Sequence, residues 1–310
     1  MSLVSIEFSK MVVISSSSGA GKTHVKGCST LDKNTDMWLS WYRESLAPDN
    51  HDALRLKEAR LPKITGSSPQ LHKRRYLVDW VATICERCDI TSETLHLAIT
   101  CLDHFMDKYS IEDTQLHLIA LCCLLIAAKF EECDVKIPRI QTLNYFVQNA
   151  FLTNEFRQME LLLLEFFCWN LVLPTSAHYI EYYKMAALSL DDNLNGEKVT
   201  VHMEAKIMKY IAKYCKYFLD ISLQDFAFSQ LPPSLVAAAA IASSRHSLGL
   251  IPSWTPQLRE VTGFNVSQVQ PVALALIRAR DAESENVEAP SDMMSKIQTS
   301  SDGPEQSVLA

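Results

Sequence analysis

Glycine is scarce in this chain, 8 residues in 310. So few glycines supply few of the positive-φ turns that a many-stranded fold needs, and Val and Ile seldom alternate with polar residues. A predominantly β architecture is thereby excluded, while plentiful Leu, Ala, Glu and Lys favour helix. A disulfide framework is missing as well. The nine cysteines are odd in number and follow no framework spacing, and no charged n-region, apolar h-region and cleavage site opens the sequence. Both point to a reducing compartment inside the cell, nucleus or cytoplasm. Long hydrophobic runs are also lacking. The most apolar stretch, Leu116 to Ala128, is shorter than the ~20 residues a bilayer span takes, so no membrane association is expected. Dense positive charge is confined to Lys73-Arg74-Arg75, too little for a phosphate-backbone footprint, and no nucleic acid is expected as a partner.

Catalytic and ligand-binding signatures are equally sparse. No G-x-S-x-G occurs. Cys85 and Cys88 form a CxxC, but inside a helical pattern and without a second Cys or His pair at zinc spacing, so they read as buried thiols. His96, His104 and His117 have no carboxylate at metal-ligand spacing. Neither a metal nor a cofactor is expected, and catalysis by the chain itself is not indicated. Ser16 to Thr23 imitates a phosphate loop, with Gly19, Gly21, Lys22 and Thr23. However, position 16 is Ser rather than Gly and no helical pattern follows Lys22, so the strand–loop–helix context is incomplete.

What is present is a helical chain with 48% hydrophobic and 21% charged residues, enough to bury a core in about two domains. Its formal charge of -7 is concentrated at one end. Asp281, Glu283, Glu285, Glu288, Asp292, Asp302 and Glu305 stand against Lys296 alone, a local net of -6, leaving the body nearly neutral.

The organisation follows from periodicity. Residues 1–34 are rich in Ser, Gly and Thr without a period and read as a disordered extension. Two leader helices are expected within 35–70, one with Trp38, Leu39 and Tyr42, the other with Leu54, Leu56 and Leu61. Leu77, Trp80, Val81, Ile84 and Cys88 fall on one face of a helix from about Leu71 to Arg87. Thr91 is placed to cap a second, reaching about Tyr109. The third, Asp113 to Phe130, is apolar nearly all round and should be the hub of its domain. A fourth begins with Pro138 in its first turn and ends near Val147, and Thr153 caps a fifth to about Cys168. Leu173-Pro174-Thr175 interrupts the pattern, with Thr175 a new cap. Five more helices are predicted at 175–188, 198–219, 233–248, 255–262 and 267–281, repeating the first layout. Residues 283–310 are acidic, Ser-rich and expected to be disordered.

Within this frame Lys129 closes the buried third helix and Glu160 lies early in the fifth, a charged pair on an apolar wall. Helical period alone leaves two readings open: a docking pair, or a lysine whose amine reaches water beside a solvated glutamate.

The segments containing these residues resemble the cyclin family. Arg74-Arg75-Tyr76-Leu77-Val78-Asp79-Trp80 resembles its first-helix signature, and Glu93 to Ala98 with Leu102-Asp103-His104-Phe105 its second helix. Ala127-Ala128-Lys129-Phe130-Glu131-Glu132 resembles its third helix, and Met159 to Leu164 through Trp169-Asn170-Leu171 its fifth. Ser222 to Phe228 and Ala242 to Arg245 are similar to the cyclin J subfamily within it. The resemblance covers about Asp36 to Asp281. It implies an all-α protein of two tandem five-helix cyclin-box repeats, 71–172 and 173–282, behind short leader helices and flanked by disordered termini. It also implies a regulatory subunit that binds and activates a cyclin-dependent kinase in cell-cycle control. Carried over by position, Lys129 and Glu160 hydrogen-bond the kinase backbone, and Ile126, Phe130, Leu164 and Trp169 line the apolar contact. Arg74 and Asp103 match a structural ion pair. Tyr76, Leu77 and Trp80 match a docking patch for arginine-x-leucine segments of substrates or inhibitors. Here the chain departs from the pattern, with Lys73 for an apolar residue, Tyr76 for a small aliphatic and Thr83 for a carboxylate. The alternative use of such a fold, as a transcription-associated or scaffold protein without kinase activation, predicts a basic face that the nearly neutral body does not suggest.

Overall fold

The computed structural model describes residues 46 to 298 apart from Asn195, with side chains placed from 47 to 283. The phosphate-loop imitation, the expected N-terminal extension and the first leader helix lie outside the described residues. The second leader helix is α1, Leu46–Glu58. A 3-10 turn, Leu71–Lys73, leads into α2, Arg74–Arg87, and α3 spans Ser92–Lys108. Thr91 caps α3 as expected, its hydroxyl accepting the Thr94 N–H. α4, Leu116–Glu131, is the hub of the first repeat: every residue from Leu118 to Ala128 is buried. An all-apolar helix has no face to give to water, so α2, α3 and α6 (Thr153–Phe166) must close around it.

Several boundaries differ from expectation: α2 starts at Arg74 and not Leu71, α4 at Leu116 and not Asp113, and the starts of the next two helices differ as well. α5 is only Ile140–Tyr145, and its N-cap is Arg139, so Pro138 precedes the helix instead of opening it. In α6, Thr153 is the first helical residue and Leu152 the cap. Leucine offers no side-chain oxygen, and Glu155 compensates by accepting the Leu152 N–H through Oε2 (2.6 Å).

The second repeat comprises α7, Ser176–Tyr183, α8, Val201–Gln224, the short α9, Phe226–Ser229, α10, Pro233–Ser247, α11, Pro256–Thr262, and α12, Val266–Gln298. Its hub is α10, whose Val236 to Arg245 are all buried against α7, α8 and α12. Thr175 sits at the N-cap of α7. Neither the short α9 nor a three-stranded antiparallel sheet was expected; the sheet has the order β2-β1-β3, from Asn193–Leu194 (β1), Glu197–Lys198 (β2) and Leu250–Ile251 (β3). Two-residue strands are too short to leave an alternating pattern. The backbone of α12 also runs helical to Gln298, past the expected end at 281. Glu, Ala, Met and Lys in that stretch are good helix formers, and the helix continues in spite of Pro290 within it.

The two repeats touch through α2 and α8 and through α3 and α7, while α1 packs on α7. Arg74 is the principal polar tie. Its Nε and Nη2 donate to Asp103 Oδ1 and Oδ2 (2.7 and 2.8 Å), while Nη1 donates to the Leu223 carbonyl of α8 (2.7 Å). The matched ion pair is therefore present, buried, and joined to the second repeat as well as bracing α2 on α3.

Candidate functional site

The end of α4 gathers the polar groups of the first repeat. Twelve residues of buried apolar helix give way at Lys129 to charge, and three successive acid or base groups tie three different elements. Lys129 Nζ hydrogen-bonds Glu160 Oε1 on α6. Glu131 Oε1 accepts from Nε2 of His178 on α7 (3.0 Å), whose Nδ1 accepts the Thr175 N–H (3.0 Å), which fixes the ring proton on Nε2. Glu132 Oε1 accepts the Thr91 N–H, the Thr91 hydroxyl and the Thr94 hydroxyl at the start of α3 (2.7, 2.7 and 2.9 Å). Partial burial pushes the Glu132 carboxyl up, but these hydrogen bonds outweigh it and hold it below the usual range. The corner from which Lys129 projects is thus fixed from three sides.

Lys129 remains 46% exposed and Glu160 16%. An ammonium has three donors and a carboxylate two oxygens, so the pair keeps bonding capacity facing outward. Around it, apolar side chains stand in solvent. Phe130 is 46% exposed and Trp169 66%, Leu161 and Leu162 of α6 are exposed, and Leu164 is half-buried. Trp169 is held there by its backbone. Cys168 and Trp169 both take left-handed conformations (φ 49° and 59°), and the Trp169 N–H closes the helix end on the Leu164 carbonyl (2.8 Å). Such conformations are uncommon for residues other than glycine, and here they hold the Trp169 ring out in solvent. Ile126 corrects the expectation: at 1% exposure it belongs to the core and cannot line a contact. Its place in a helix apolar all round concealed which side faces out. Leu161 and Leu162 were missed for the converse reason, since leucines in an apolar run carry no mark of exposure.

A second feature lies on α2. Tyr76 is exposed, its hydroxyl 3.2 Å from His117 Nε2, and the half-buried Trp80 ring meets the same imidazole edge-on at 4.8 Å. With Phe146 and Phe151 they line a shallow cleft of about 330 Å³. Leu77 again corrects the expectation: it is 1% exposed and lies in the core beneath the cleft's helix. Thr83 donates to the Asp79 carbonyl (2.9 Å), and the Arg87 guanidinium lies 5.9 Å from the Phe146 ring centre. Lys73 is paired with Asp113 (2.5 Å). No carboxylate lines the cleft.

The remaining candidates are accounted for by packing. Cys85 is buried in α2 and its thiol is pushed up to about 12 by burial, and Cys88 is the C-cap of that helix. His96 is buried and its pKa lowered to about 3, by burial and then by neighbouring His178. Among the described residues no group of three or more His, Cys, Asp or Glu is placed to hold a metal ion, and no helix is long and apolar enough to cross a membrane.

This architecture has known counterparts. Residues 49–172 match the cyclin N-terminal domain and residues 174–301 the cyclin C-terminal domain. The chain belongs to the cyclin family. Cyclin-J of Xenopus laevis is 44% identical over 246 residues, 78% of this chain and 64% of that protein. Cyclin-J of Homo sapiens is 44% identical over 230 residues, 73% of this chain and 58% of that protein. The chain thus spans less than two thirds of these two relatives. Among solved structures, a viral cyclin from herpesvirus saimiri superposes with a TM-score of 0.58 at 20% identity, covering 74% of this chain and 96% of that one. At that identity the likeness is one of fold, and it carries the two tandem cyclin domains through both repeats.

Proposed function

We propose that this cyclin is a regulatory subunit that docks on a cyclin-dependent serine/threonine kinase through Lys129, Glu160 and the apolar residues around them, and thereby activates it. The supporting observation is the outward-facing charged pair set among exposed Phe130, Leu161, Leu162 and Trp169 at a rigidly fixed helix corner. Charge-assisted hydrogen bonds to a partner's backbone gain strength once apolar neighbours exclude water. In this reading the chain contributes no reacting group. A kinase needs its ATP-positioning lysine paired with a glutamate on a movable helix, and a surface that binds only the inward position shifts the population toward it. Moving that balance from 1:99 to 99:1 takes about 5.5 kcal/mol of differential binding.

The Tyr76–Trp80 cleft takes the place of a recruitment site for substrates or inhibitors, with altered selectivity. No carboxylate waits there for an arginine, and Arg87 stands over Phe146 instead. The complex works inside the cell, in nucleus or cytoplasm, in control of the cell cycle. To test the reading, the purified chain is titrated into each of a panel of cyclin-dependent kinases with histone phosphorylation as readout. Saturable stimulation of one kinase supports it. Binding without stimulation favours the scaffold alternative.

A further inference from the structure

Helix α8 carries a pattern that kinase docking does not use. Lys206, Lys209, Lys213 and Lys216 are spaced three, four and three residues apart, and Met203, Tyr210 and Tyr217 recur every seven. Residues three and four apart are neighbours on a helix surface, so the lysines form one stripe with the tyrosines beside it. Ile207, Ile211, Cys215 and Phe218 take the buried side, leaving all four lysines, Tyr210 and Tyr217 exposed. Among the described residues none of the four lysines is in a salt bridge. Like charges at this spacing repel one another, and the chain's excess of negative charge lies almost wholly in its acidic end.

The chain brings the opposite charge to the same place. At the C-terminal part of α8, the Arg280 guanidinium of α12 lies 6.0 Å from the Phe218 ring centre and its Nη1 donates to Ser247 Oγ (2.8 Å). The Tyr217 phenol is raised first by burial and next by the charge of Glu283, with Arg280 opposing, so it feels charges of both signs from α12. From there the sequence continues through Glu285, Glu288, Asp292, Asp302 and Glu305 against the single Lys296. The α12 backbone is helical to Gln298, and at 1.5 Å per residue its length beyond Ala282 is about 24 Å, more than the stripe's ~15 Å.

We propose that the acidic segment of this chain, residues 283–305, covers the lysine–tyrosine face of α8. Carboxylates neutralise the four ammonium groups, and the tyrosine rings take the segment's apolar side chains. A tethered segment of this kind meets its site at an effective concentration on the order of millimolar, so it holds the face against acidic peptides from outside. The proposal stands apart from the kinase reading, because it concerns a different surface and does not require Lys129 or Glu160.

The full chain is treated with a carbodiimide, which joins only touching carboxylate–lysine pairs, in a mixture of isotope-labelled and unlabelled protein. In parallel, lysine acetylation rates are compared with those of a variant carrying Glu285→Gln, Glu288→Gln, Asp292→Asn, Asp302→Asn and Glu305→Gln. The expected result is intrachain links from the four lysines to the acidic segment, lost at about 1 M salt, where the Debye length is about 3 Å. The four lysines are also acetylated several-fold faster in the variant, while Lys108 is unchanged. Equal acetylation rates in the two proteins would overturn the proposal. So would links formed only between chains, which would make a second copy the occupant, or a polyglutamate peptide binding the unaltered chain as tightly as the variant.

Discussion

Arg74, buried, and Asp220, partly buried, show how differently two charged groups behave on either side of the junction between repeats. Arg74 has its guanidinium satisfied by Asp103 and the Leu223 carbonyl. Removing one member of a buried pair strands the other charge, so Arg74→Ala is expected to destabilise the protein by about 3–5 kcal/mol in urea denaturation. The double replacement Arg74→Met with Asp103→Leu loses less than either single change, because no charge is left alone in the core. Asp220 on α8 has a buried Oδ1 without a partner, and its pKa is raised to about 6, chiefly by burial. A raised carboxyl binds its proton more tightly in the folded state, so its contribution is favourable below pH 4 and is lost as pH rises to 6. Asp220→Asn should therefore leave stability unchanged at acid pH and raise it by about 2 kcal/mol at pH 7, flattening the profile between. The Arg74–Asp103 pair was legible only through the family resemblance. Residues 29 positions apart carry no local sign of contact, and Asp220 gave none either.

At the scale of elements, capping reaches across the molecule. Glu58, at the end of α1, accepts the Ser234 N–H through Oε1 (2.7 Å) and the Ser234 hydroxyl through Oε2 (2.8 Å). It thereby supplies the first turn of α10 with the acceptor that Pro232 at the N-cap lacks. Glu58→Ala should destabilise the second repeat by about 1–2 kcal/mol, read as earlier amide exchange in α10 than in α4. Between α1 and α2, Gly66 takes φ +72°, its N–H donates to Asp107 Oδ1 (2.8 Å), and a Cβ there would lie 2.7 Å from the Phe226 ring. Gly66→Ala is expected to lower stability by about 1–3 kcal/mol by thermal unfolding, through strain and the displaced ring together. Periodicity placed α2, α3 and α4 well because each buries a long apolar face. It misjudged α5 and α6 at their starts, where no side chain caps α5 at Arg139 and Glu155 in the first turn of α6 bonds the Leu152 N–H, and it could not see two-residue strands. Sequence periodicity locates buried faces; it does not show which groups satisfy the backbone at their ends.

For the whole molecule, α3 and α6 of the first repeat and α7 of the second hold one corner of α4 between them, and that corner carries the proposed docking surface. Of the residues assigned by position to kinase contact, Lys129, Phe130 and Trp169 are exposed and Glu160 partly so, while Ile126, like Leu77 of the docking patch, is core, since homology by position does not report exposure. The exposed Lys129–Glu160 pair contributes at most about 1 kcal/mol to folding, so substituting either residue probes docking without unfolding the chain. The decisive measurement is a calorimetric titration of the chain against the kinase it stimulates, repeated with Lys129→Ala, Glu160→Ala, Trp169→Ala and, as a control outside the contact, Tyr76→Ala. The first three should each weaken the dissociation constant by about 30-fold or more, as truncation of interface anchors does, with Tyr76→Ala unchanged. Unaltered affinity in Lys129→Ala and Glu160→Ala would contradict the account.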